Sequence, residues 1–420
     1  MRITYLAIGD ELLDGRVTDT NLTFTGGCIR RAGLRLQAAL TVPDLVPSIV
    51  DAIRQLAQTS DIVLVSGGCG PTTDDVTREA IALAAQVPLS RHAEAEERLR
   101  NKFASRGLTM TENNLRQADL PLHCTLLPSE VGTADACMTQ VAGAAVYSLP
   151  GVPREYESLF RQWIEPRIQA TDPLLTLRLT TFGIAESMLG ARVESQHPDD
   201  AVRIAYCAAW PTVQVEMTAA PDAADALKIL HETLQVQLQP WIIEASSPAQ
   251  LLALLLNERQ WHMVTAESCT GGLIASSLTD IPGASAWFDS AWVTYANRAK
   301  IESLGIPEAL LEAHGAVSAE VVQELARNAR EQSRTDLAIA VSGIAGPGGG
   351  TPEKPIGTVW IAIATEASTL VIGARVPARG RIAFRQSVSA LALLAACRVL
   401  QGRPDDIERW WGVQRVWSLT

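Results

Sequence analysis

Short apolar runs alternate with amphipathic helical runs along residues 2–168, and this alternation restricts the possible folds of the chain more than any other feature. Arg2–Gly9 and Asp61–Ser66 have the composition of buried strands, whereas Thr20–Arg31 and Val46–Gln58 repeat apolar residues at helical spacing. Strands that are separated by helices pair in parallel within one sheet, and the helices cover both of its faces. The same alternation returns after residue 247, so the sequence predicts two three-layer α/β domains.

Two Pro-containing breaks, at Asp172-Pro173 and at Ser246–Pro248, divide the chain between these two regions. The segment between the breaks is short and mixes strands with helices, so we expect a small α+β domain with a linking role. The last residues carry three of the ten Trp, and those rings either dock on the body or on another subunit, or bind a partner. The predicted boundaries are 1–170, 171–246 and 247–401, followed by a tail at 402–420.

Composition argues against several classes of protein. A net charge of −11 without a dense run of Lys or Arg disfavours nucleic acid as a direct ligand, because phosphate backbones are bound by basic patches. No uninterrupted apolar run reaches the roughly 18 residues that suggest a membrane span, and the apolar start is too short for a signal peptide. The seven Cys include no Cys-x-x-Cys pair, which indicates neither a disulfide framework nor a structural zinc site. We therefore expect a cytoplasmic protein that binds no membrane.

A hydroxyl, a phenol and an amine occur close together in the second α/β region. Ser268 follows a strand-like run and would begin a helix, where free N–H groups favour developing negative charge. Tyr295 and Lys300 follow another strand-like run, and a lysine that loses its proton can replace histidine as the base of a serine hydrolase. Ser268 could instead be a simple helix cap, and a Ser–His–Asp triad that uses His262 or His314 stays open.

A Gly-rich loop follows a later buried strand. Gly343–Gly350 contains five glycines in eight residues and is followed by Thr351 and Lys354. Such a loop brings backbone N–H groups close to a ligand, so it predicts a phosphate cradle, with a mobile surface loop as the alternative. The Gly-Lys-Ser/Thr step of a Walker A motif is missing, so hydrolysis of a nucleoside triphosphate is not supported.

The first α/β region has its own candidate anion site. Gly67–Thr77 has the pattern of a Gly-rich turn that leads from a strand into a helix, and Asp10 and Glu11 follow another strand. Asp74 and Asp75 at the start of the helix either cap it or hold a divalent cation. Four converging carboxylates repel one another, so the sequence favours Mg²⁺ together with a phosphorylated ligand.

These motifs resemble those of the CinA-type competence/damage-inducible protein family over residues 1–400. The first region resembles a molybdopterin-binding domain, the last region resembles a nicotinamide-nucleotide amidase, and the middle segment resembles a small KH-like domain. The matching motifs of the first and middle regions are Gly9–Leu13, Asp19–Asn21, Gly67–Thr77, Met110–Asn114, Leu149–Glu155 and Phe182–Glu186. Those of the last region are Ala266–Gly272, Tyr295–Lys300, His314–Ser318 and Ser342–Gly357.

For the last region, the resemblance implies hydrolysis of nicotinamide mononucleotide to nicotinate mononucleotide and ammonia, without a cofactor. In this role Ser268 is the nucleophile, Lys300 is its base and Tyr295 positions the hydroxyl. Backbone N–H groups near Ser268 and in the Gly-rich loop would hold the oxyanion and the phosphate. The expected substrate-binding residues are Thr270, Gly271, Gly272, Gly343, Gly346, Gly348, Gly349, Thr351 and Lys354.

For the first region, the resemblance implies hydrolysis of ADP-ribose to AMP and ribose 5-phosphate with a divalent metal, most simply Mg²⁺, held by Asp10, Asp74 and Asp75. The two activities would together recycle fragments of pyridine nucleotides, and the family resemblance also implies a homodimer. The expected ligand-binding residues are Gly9, Asp10, Glu11, Asn21, Gly67, Gly68, Gly70, Thr72, Asp75 and Thr77.

Two other hypotheses stay open. The protein could be a competence- or damage-associated regulatory protein that binds a nucleotide or pterin and acts through a partner, which only the Trp-rich tail favours. Alternatively, the first region could be the main enzyme and the last region its regulator.

Overall fold

The computed structural model of the chain describes residues 1–168, 174–196, 200–377 and 379–419. The chain folds into two compact units, Met1–Leu175 and Thr176–Thr420. Both units combine helices with a six-stranded sheet, which confirms the predicted α/β class with two sheet-rich domains.

The first unit contains a six-stranded sheet and a small two-stranded sheet. The strands of the larger sheet are β1 (Ile3–Ile8), β2 (Leu36–Val42), β3 (Ile62–Ser66), β6 (Thr125–Leu127), β7 (Ala136–Val141) and β8 (Ala144–Leu149), and the small sheet pairs β4 (Leu89–Arg91) with β5 (Asp119–Pro121). The order of the larger sheet is β2-β1-β3-β8-β7-β6, and strands β2, β1, β3 and β8 run parallel.

The predicted parallel pairing does not extend to β7 and β6, which pair antiparallel with β8 and β7, respectively. The physical reason is the connection between β7 and β8, which consists of Ala142 and Gly143 with φ angles of 49° and 89°. A two-residue turn with both φ angles positive forms a tight hairpin, and a hairpin can only join antiparallel strands.

The helices of the first unit lie largely where the sequence predicts them. They are α1 (Asp10–Leu13), α2 (Thr20–Arg31), α3 (Val46–Ala57), α4 (Thr77–Ala85), α5 (Ala93–Ser105) and α6 (Pro153–Leu159). The prediction of a helix at Thr20–Arg31 is confirmed, and Asp19 caps it by accepting a hydrogen bond from the backbone N–H of Leu22 at 2.9 Å. The helix predicted from Asp74 begins only at Thr77, because the preceding residues form a turn.

The segment that precedes residue 247 combines a three-stranded sheet with two helices. Its elements are β9 (Leu175–Phe182), α7 (Glu186–Glu194), β10 (Val202–Ala209), β11 (Thr212–Ala219) and α8 (Ala224–Gln237), and the order of the sheet is β10-β11-β9. From Thr176 onward the segment belongs to the same compact unit as the residues that follow it, because one hydrophobic core runs from Phe182 and Leu234 to Leu252 and Leu391. A KH-like topology for this segment stays a prediction.

The remaining part of the second unit is built on a six-stranded sheet. Its strands are β12 (Met263–Glu267), β13 (Phe288–Val293), β14 (Leu337–Gly343), β15 (Thr358–Ala364), β16 (Thr369–Arg375) and β17 (Val413–Leu419), in the order β13-β12-β14-β15-β16-β17. Strands β13, β12 and β14 run parallel, and β14 to β17 pair antiparallel. The helices are α9 (Pro248–Arg259), α10 (Leu273–Thr279), α11 (Asn297–Leu304), α12 (Glu308–His314), α13 (Ala319–Ser333) and α14 (Arg381–Leu400).

Helix α14 is long and apolar enough to cross a membrane by length and composition alone, with 20 residues and a mean hydropathy of 1.4. It contains no uninterrupted apolar run of that length, because polar residues such as Arg381 and Arg385 interrupt its first turns. Of its most apolar window, 72% is buried inside the protein, against α9 and strands β14 and β15. It therefore packs as a core helix of the second unit.

The Trp-rich tail docks on the body of its own unit, which is one of the alternatives left open by the sequence. Strand β17 extends the six-stranded sheet by pairing with β16. The Trp410 indole donates to the carbonyl of Pro240 at 2.8 Å, and Trp411 stacks on Trp210 with ring centroids 5.3 Å apart. The tail is thus a structural part of the second unit.

Candidate active site

Ser268 lies directly after β12, at the carboxyl end of the parallel part of the sheet. Its backbone N–H donates to the carbonyl of Val341 on β14 at 3.2 Å, which fixes the turn against the neighbouring strand. Gly271 and Gly272 follow with φ angles of +61° and +90°, a conformation that favours glycine and turns the chain into α10. Ser268 is thereby held at a buried turn, 9% exposed.

Lys300 reaches this turn from α11 and is fully buried. Its Nζ lies 3.3 Å from the Ser268 Oγ, 2.6 Å from the carbonyl of Thr294 and 3.4 Å from the carbonyl of Tyr295. Burial lowers the pKa of Lys300 below its ordinary value of 10.5, and the Cys269 thiol opposes this shift. In the neutral amine, the two carbonyls can accept the two N–H groups, which leaves the lone pair for the Ser268 hydroxyl.

The thiol next to Ser268 is not activated. Burial raises the pKa of Cys269 to about 12, and Lys300 only partly offsets that shift. Cys269 is therefore protonated near neutral pH, which leaves the Ser268 hydroxyl as the group that Lys300 can deprotonate.

Tyr295 lines the same cavity, but its phenol contacts a residue that the sequence analysis did not single out. Arg381 at the start of α14 donates to the Tyr295 hydroxyl and to the carbonyl of Gly346, the latter at 3.0 Å. Arg385, one turn later, donates to the carbonyl of Thr270 at 2.6 Å and 2.9 Å. Two cations in the first turns of a helix face its positive end, and this unfavourable placement is a signal that could have identified them.

The free helix N–H groups expected near Ser268 are occupied by a side chain of the protein itself. The buried carboxylate of Glu267 accepts hydrogen bonds from the backbone N–H groups of Gly272, Ile274 and Ala275 at 3.0, 3.1 and 2.8 Å. Among the described residues, the N–H groups of Cys269 and Thr270 donate to no oxygen acceptor. Both groups lie close to the Cys269 Sγ, and a sulfur is a weak acceptor, so these two groups rather than the helix terminus can turn to an oxyanion.

The structure brings only part of the predicted phosphate cradle to this cavity. The cavity has a volume of about 210 Å³ and is lined by Ser268, Cys269, Tyr295, Lys300, Ala316, Val317, Ser342, Gly343, Ala345 and Arg381. Lys354 points elsewhere, since its Nζ donates to the carbonyl of His314 at 2.6 Å. The other predicted substrate-binding residues that do not line the cavity are Thr270, Gly271, Gly272, Gly346, Gly348, Gly349 and Thr351.

The two histidines that left a Ser–His–Asp triad open lie outside this cavity. His262 precedes β12 and its Nδ1 lies 4.0 Å from Asp336. The Nδ1 of His314 lies 3.6 Å from Glu320, with both side chains partly exposed. The geometry therefore favours the Ser–Lys arrangement.

The first unit has a larger cavity, of about 470 Å³, at the carboxyl ends of β1, β3 and β8. Gly67 and Gly68 line it and have positive φ angles. A Cβ added to Gly67 would lie 2.3 Å from the Ile8 carbonyl oxygen, and one added to Gly68 would lie 2.2 Å from Thr77 Oγ1. Asn21 spans the cavity wall by donating to Ser66 Oγ at 3.0 Å and to a backbone carbonyl. The predicted residues that line this cavity are Glu11, Asn21, Gly67, Gly68, Gly70, Asp74 and Asp75, whereas Gly9, Asp10, Thr72 and Thr77 do not line it.

Asp75, predicted to bind ligand and metal, stabilises the Gly-rich turn through hydrogen bonds to its backbone. Its carboxylate accepts hydrogen bonds from the backbone N–H groups of Gly70 and Thr72 at 2.7 and 2.8 Å, and Asp74 accepts one from the Thr72 hydroxyl. Among the described residues, no group of three or more Asp, Glu, His or Cys side chains could hold a metal ion. The predicted set of Asp10, Asp74 and Asp75 therefore does not form a metal cage.

Three further carboxylates line this cavity, namely Asp19, Asp44 and Glu155. Asp19 and Glu155 lie within sequence motifs but were not predicted to bind ligand, and Asp44 lies in none of the motifs. Burial raises the pKa of Asp44, the Asp10 backbone N–H opposes that shift, and the charges of Glu11, Asp10 and Asp74 add to it. Asp44 follows β2, the strand beside β1, so its position after a parallel strand was the available signal.

Comparison with known proteins gives each unit a family. Residues 4–170 match a probable molybdopterin binding domain, and residues 245–400 match the CinA C-terminal domain. The CinA-like protein of Citrifermentans bemidjiense is 41% identical over 380 residues, which cover 88% of this chain and 91% of that protein. The CinA-like protein of Akkermansia muciniphila is 39% identical over 401 residues, which cover 94% and 96%.

Among solved structures, the competence/damage inducible protein CihA from Agrobacterium tumefaciens is 38% identical, with a TM-score of 0.35. The match covers 37% of this chain and 98% of that one. The likeness to the curated relatives runs through both units and the segment between their matched domains. The chain therefore belongs to the CinA-like protein family, with an N-terminal molybdopterin-binding-like domain and a CinA C-terminal domain.

Proposed function

We propose that the Ser268 cavity hydrolyses a carboxamide, and that its substrate is nicotinamide mononucleotide. The observation that carries this proposal is the buried Lys300 Nζ, 3.3 Å from the Ser268 Oγ, with its pKa lowered by burial. A lysine base is useful only when it is neutral, and burial favours the neutral form.

The reaction follows from these positions. Neutral Lys300 takes the proton of the Ser268 hydroxyl while Oγ attacks the carboxamide carbon, and the carbonyl oxygen becomes an oxyanion near the N–H groups of Cys269 and Thr270. The ammonium of Lys300 then protonates the leaving amine, and ammonia departs from an ester of Ser268. A water molecule gives a proton to Lys300 and attacks that ester, and Lys300 returns the proton to Oγ as the carboxylic acid leaves; the acid then loses its remaining proton to solvent.

The cationic rim of the cavity supports a phosphorylated substrate. Arg381 lines the cavity beside Tyr295, and the described lining contains no carboxylate. The guanidinium can bind the phosphate of a mononucleotide, and Tyr295 holds the guanidinium in place through the hydrogen bond that it accepts. Positioning Arg381 is therefore the role we assign to Tyr295.

Ammonia release from nicotinamide mononucleotide, measured without added metal, tests this proposal. Wild-type protein should release ammonia and nicotinate mononucleotide, and Ser268→Ala should release neither. Ser276→Ala is the matched control, because it makes the same chemical change at an exposed position on α10 that does not line the cavity, and it should leave the rate unchanged. Ammonia release by Ser268→Ala at the wild-type rate would refute the assignment.

We also propose that the first unit hydrolyses ADP-ribose to AMP and ribose 5-phosphate. The supporting observation is its cavity, whose described lining has a Gly-rich floor and six carboxylates but no Lys or Arg. A diphosphate would meet like charge there unless cations accompany it. Mg²⁺ usually binds through one or two carboxylates and the phosphates of its substrate, so it does not require a cluster of three protein carboxylates. In this cavity Asp44 and Glu11 would hold the ion, and its charge would offset that of the diphosphate and the carboxylates.

AMP release from ADP-ribose, with and without Mg²⁺, tests the second activity. The metal requirement stays a prediction, and turnover should appear only when Mg²⁺ is present. Absence of AMP under both conditions would remove this activity and leave the amidase proposal untouched.

The cellular setting and the assembly belong to the same proposal. All seven Cys are free thiols, which supports a reducing cytoplasm. We propose a homodimer that takes part in pyridine nucleotide recycling, and light scattering after size exclusion should give twice the mass of 45.1 kDa. The Trp-rich tail, which favoured a regulatory partner, is used within the second unit.

A further inference from the structure

A third cavity, of about 400 Å³, lies in the second unit and shares no lining residue with the Ser268 cavity. It is formed by the start of β15, the end of β16, the tail strand β17 and the segment that follows the Gly-rich loop. The proposed amidase does not use it, and the family domain match ends at residue 400, before β17 begins.

The register of the three strands places the half-buried indole of Trp360, which also meets Trp417 edge to face at 5.6 Å between ring centroids, beside two cations. Trp360 on β15 pairs with Gly373 on β16, which pairs with Arg415 on β17, and Arg375 pairs with Thr358. Residues paired across strands, or two apart along one, share a face of the sheet. A Cβ on Gly373 would lie 2.6 Å from the Trp360 ring, so the indole lies over the bare glycine backbone.

The charge of this cavity is opposite to that of the chain as a whole. Lys354, Arg375 and Arg415 line it, and among the described residues none of the three forms an ion pair, although the net charge is −11. Glu353 is the one carboxylate in the described lining. Guanidinium groups without a carboxylate partner bind phosphate through charge-assisted hydrogen bonds, and a partly exposed indole face stacks on a base.

We infer that this cavity is a second binding site, for a mononucleotide whose base stacks on Trp360 and whose phosphate binds Arg375 and Arg415. This inference goes beyond the proposed amidase and does not depend on it, because the two cavities share no residue. The ligand class follows from the pairing of one aromatic face with guanidinium groups, which neither a free sugar phosphate nor a nucleoside would satisfy alone.

Calorimetric titration of the full chain with AMP tests the inference, with adenosine and ribose 5-phosphate as partial probes. The titrations are made without Mg²⁺, so that the carboxylates of the first unit's cavity repel the phosphate and AMP does not bind there as a product. AMP should bind more tightly than either partial probe, and each of Arg375→Ala and Arg415→Ala should weaken it about tenfold. Trp360→Phe should weaken it less, because a smaller ring still stacks. Both arginines are exposed, so melting temperatures should confirm that the variants fold.

Two controls separate this site from the other cavities. Arg327→Ala removes an exposed arginine on α13 and should leave AMP binding unchanged, as should Ser268→Ala. Ammonia release by the Arg375→Ala/Arg415→Ala double variant should match wild type. The inference is overturned if AMP does not bind, if the double variant binds it as wild type does, or if Ser268→Ala alone abolishes binding.

Discussion

The Ser268 cavity and the Gly67–Asp75 cavity are built alike but carry opposite charge. Each lies where a parallel strand ends in a Gly-containing turn before a helix. In each, a carboxylate accepts hydrogen bonds from backbone N–H groups: Asp75 within the turn of the first unit, and Glu267 at the end of the strand in the second. The Ser268 cavity is lined by Lys300 and Arg381 without a carboxylate, whereas the Gly67–Asp75 cavity is lined by six carboxylates without a cation among the described residues. The strand–turn–helix unit supplies the position, and the side chains that surround it decide the chemistry.

The largest expected effect is a complete separation of the two activities. Asp75→Asn removes an acceptor from the turn that holds Gly70 and Thr72, and AMP release should fall about a hundredfold or more. Ser268→Ala should lower ammonia release about a thousandfold or more by removing the nucleophile. Each variant should keep the other activity, measured on the same preparation.

Asp51→Asn is the control for the first of these variants, because it makes the same chemical change at an exposed position on α3. If either variant lost both activities while still folded, the two cavities would have to be coupled, and the comparison between independent sites would fail.

The next effect concerns Glu267, which plays in the second unit the part that Asp75 plays in the first. Glu267→Gln replaces one acceptor oxygen by an amide group that cannot accept from the N–H groups of Gly272, Ile274 or Ala275. We expect ammonia release to fall about tenfold and the free energy of unfolding to drop by about 2 kcal/mol. Asp280→Asn, at the other end of α10, should change neither quantity.

The local parts of this comparison could be predicted from the sequence. The helix at Thr20–Arg31 follows from its Asp19 cap and its apolar spacing, and Ser268 and Lys300 meet because both follow neighbouring parallel strands. The hairpin at Ala142 and Gly143 also had a local signal, since Gly favours positive φ.

The parts that escaped prediction depend on contacts between distant residues. Arg381 meets Tyr295 across 86 positions, and β17 pairs with a strand that ends 38 positions earlier, at Arg375. The hydrogen bonds from the helix N–H groups to Glu267 join residues that are close in sequence. They depend on the orientation of a buried carboxylate, which the spacing of apolar residues does not predict.

A smaller effect is the pH dependence of the amidase. Because the pKa of Lys300 is lowered from 10.5 but the amine must be neutral to act, ammonia release should rise with pH, about tenfold per unit, and level off below pH 10.5. The measurement is kcat/KM for nicotinamide mononucleotide across this range. A profile that is flat from about pH 5 to about pH 10 would contradict a lysine base.

The smallest effect is on stability, and it tests the same buried amine without using activity. The folded-state pKa of Lys300 lies below 10.5, so the unfolded chain binds more protons between these two values and stability should rise with pH in that window. Below the folded pKa the cost of burying the ammonium is fully present, and Lys300→Met should then raise the free energy of unfolding by about 1–2 kcal/mol. Above pH 10.5 that gain should disappear, because the amine is neutral in both states.

Denaturant unfolding at several pH values measures this gain, with Lys228→Met as the control at an exposed position on α8. The control should show no such dependence, because an exposed ammonium keeps its hydration in the folded chain. A gain for Lys300→Met that stayed constant across the whole range would mean that the amine has the same pKa in the folded and unfolded chain, since only a difference in bound protons makes stability depend on pH. Lys300 would then be no better a base than a lysine in water. The Ser268 cavity would lack the neutral amine that we propose as its base, and this chemical difference from the carboxylate-lined cavity would be lost.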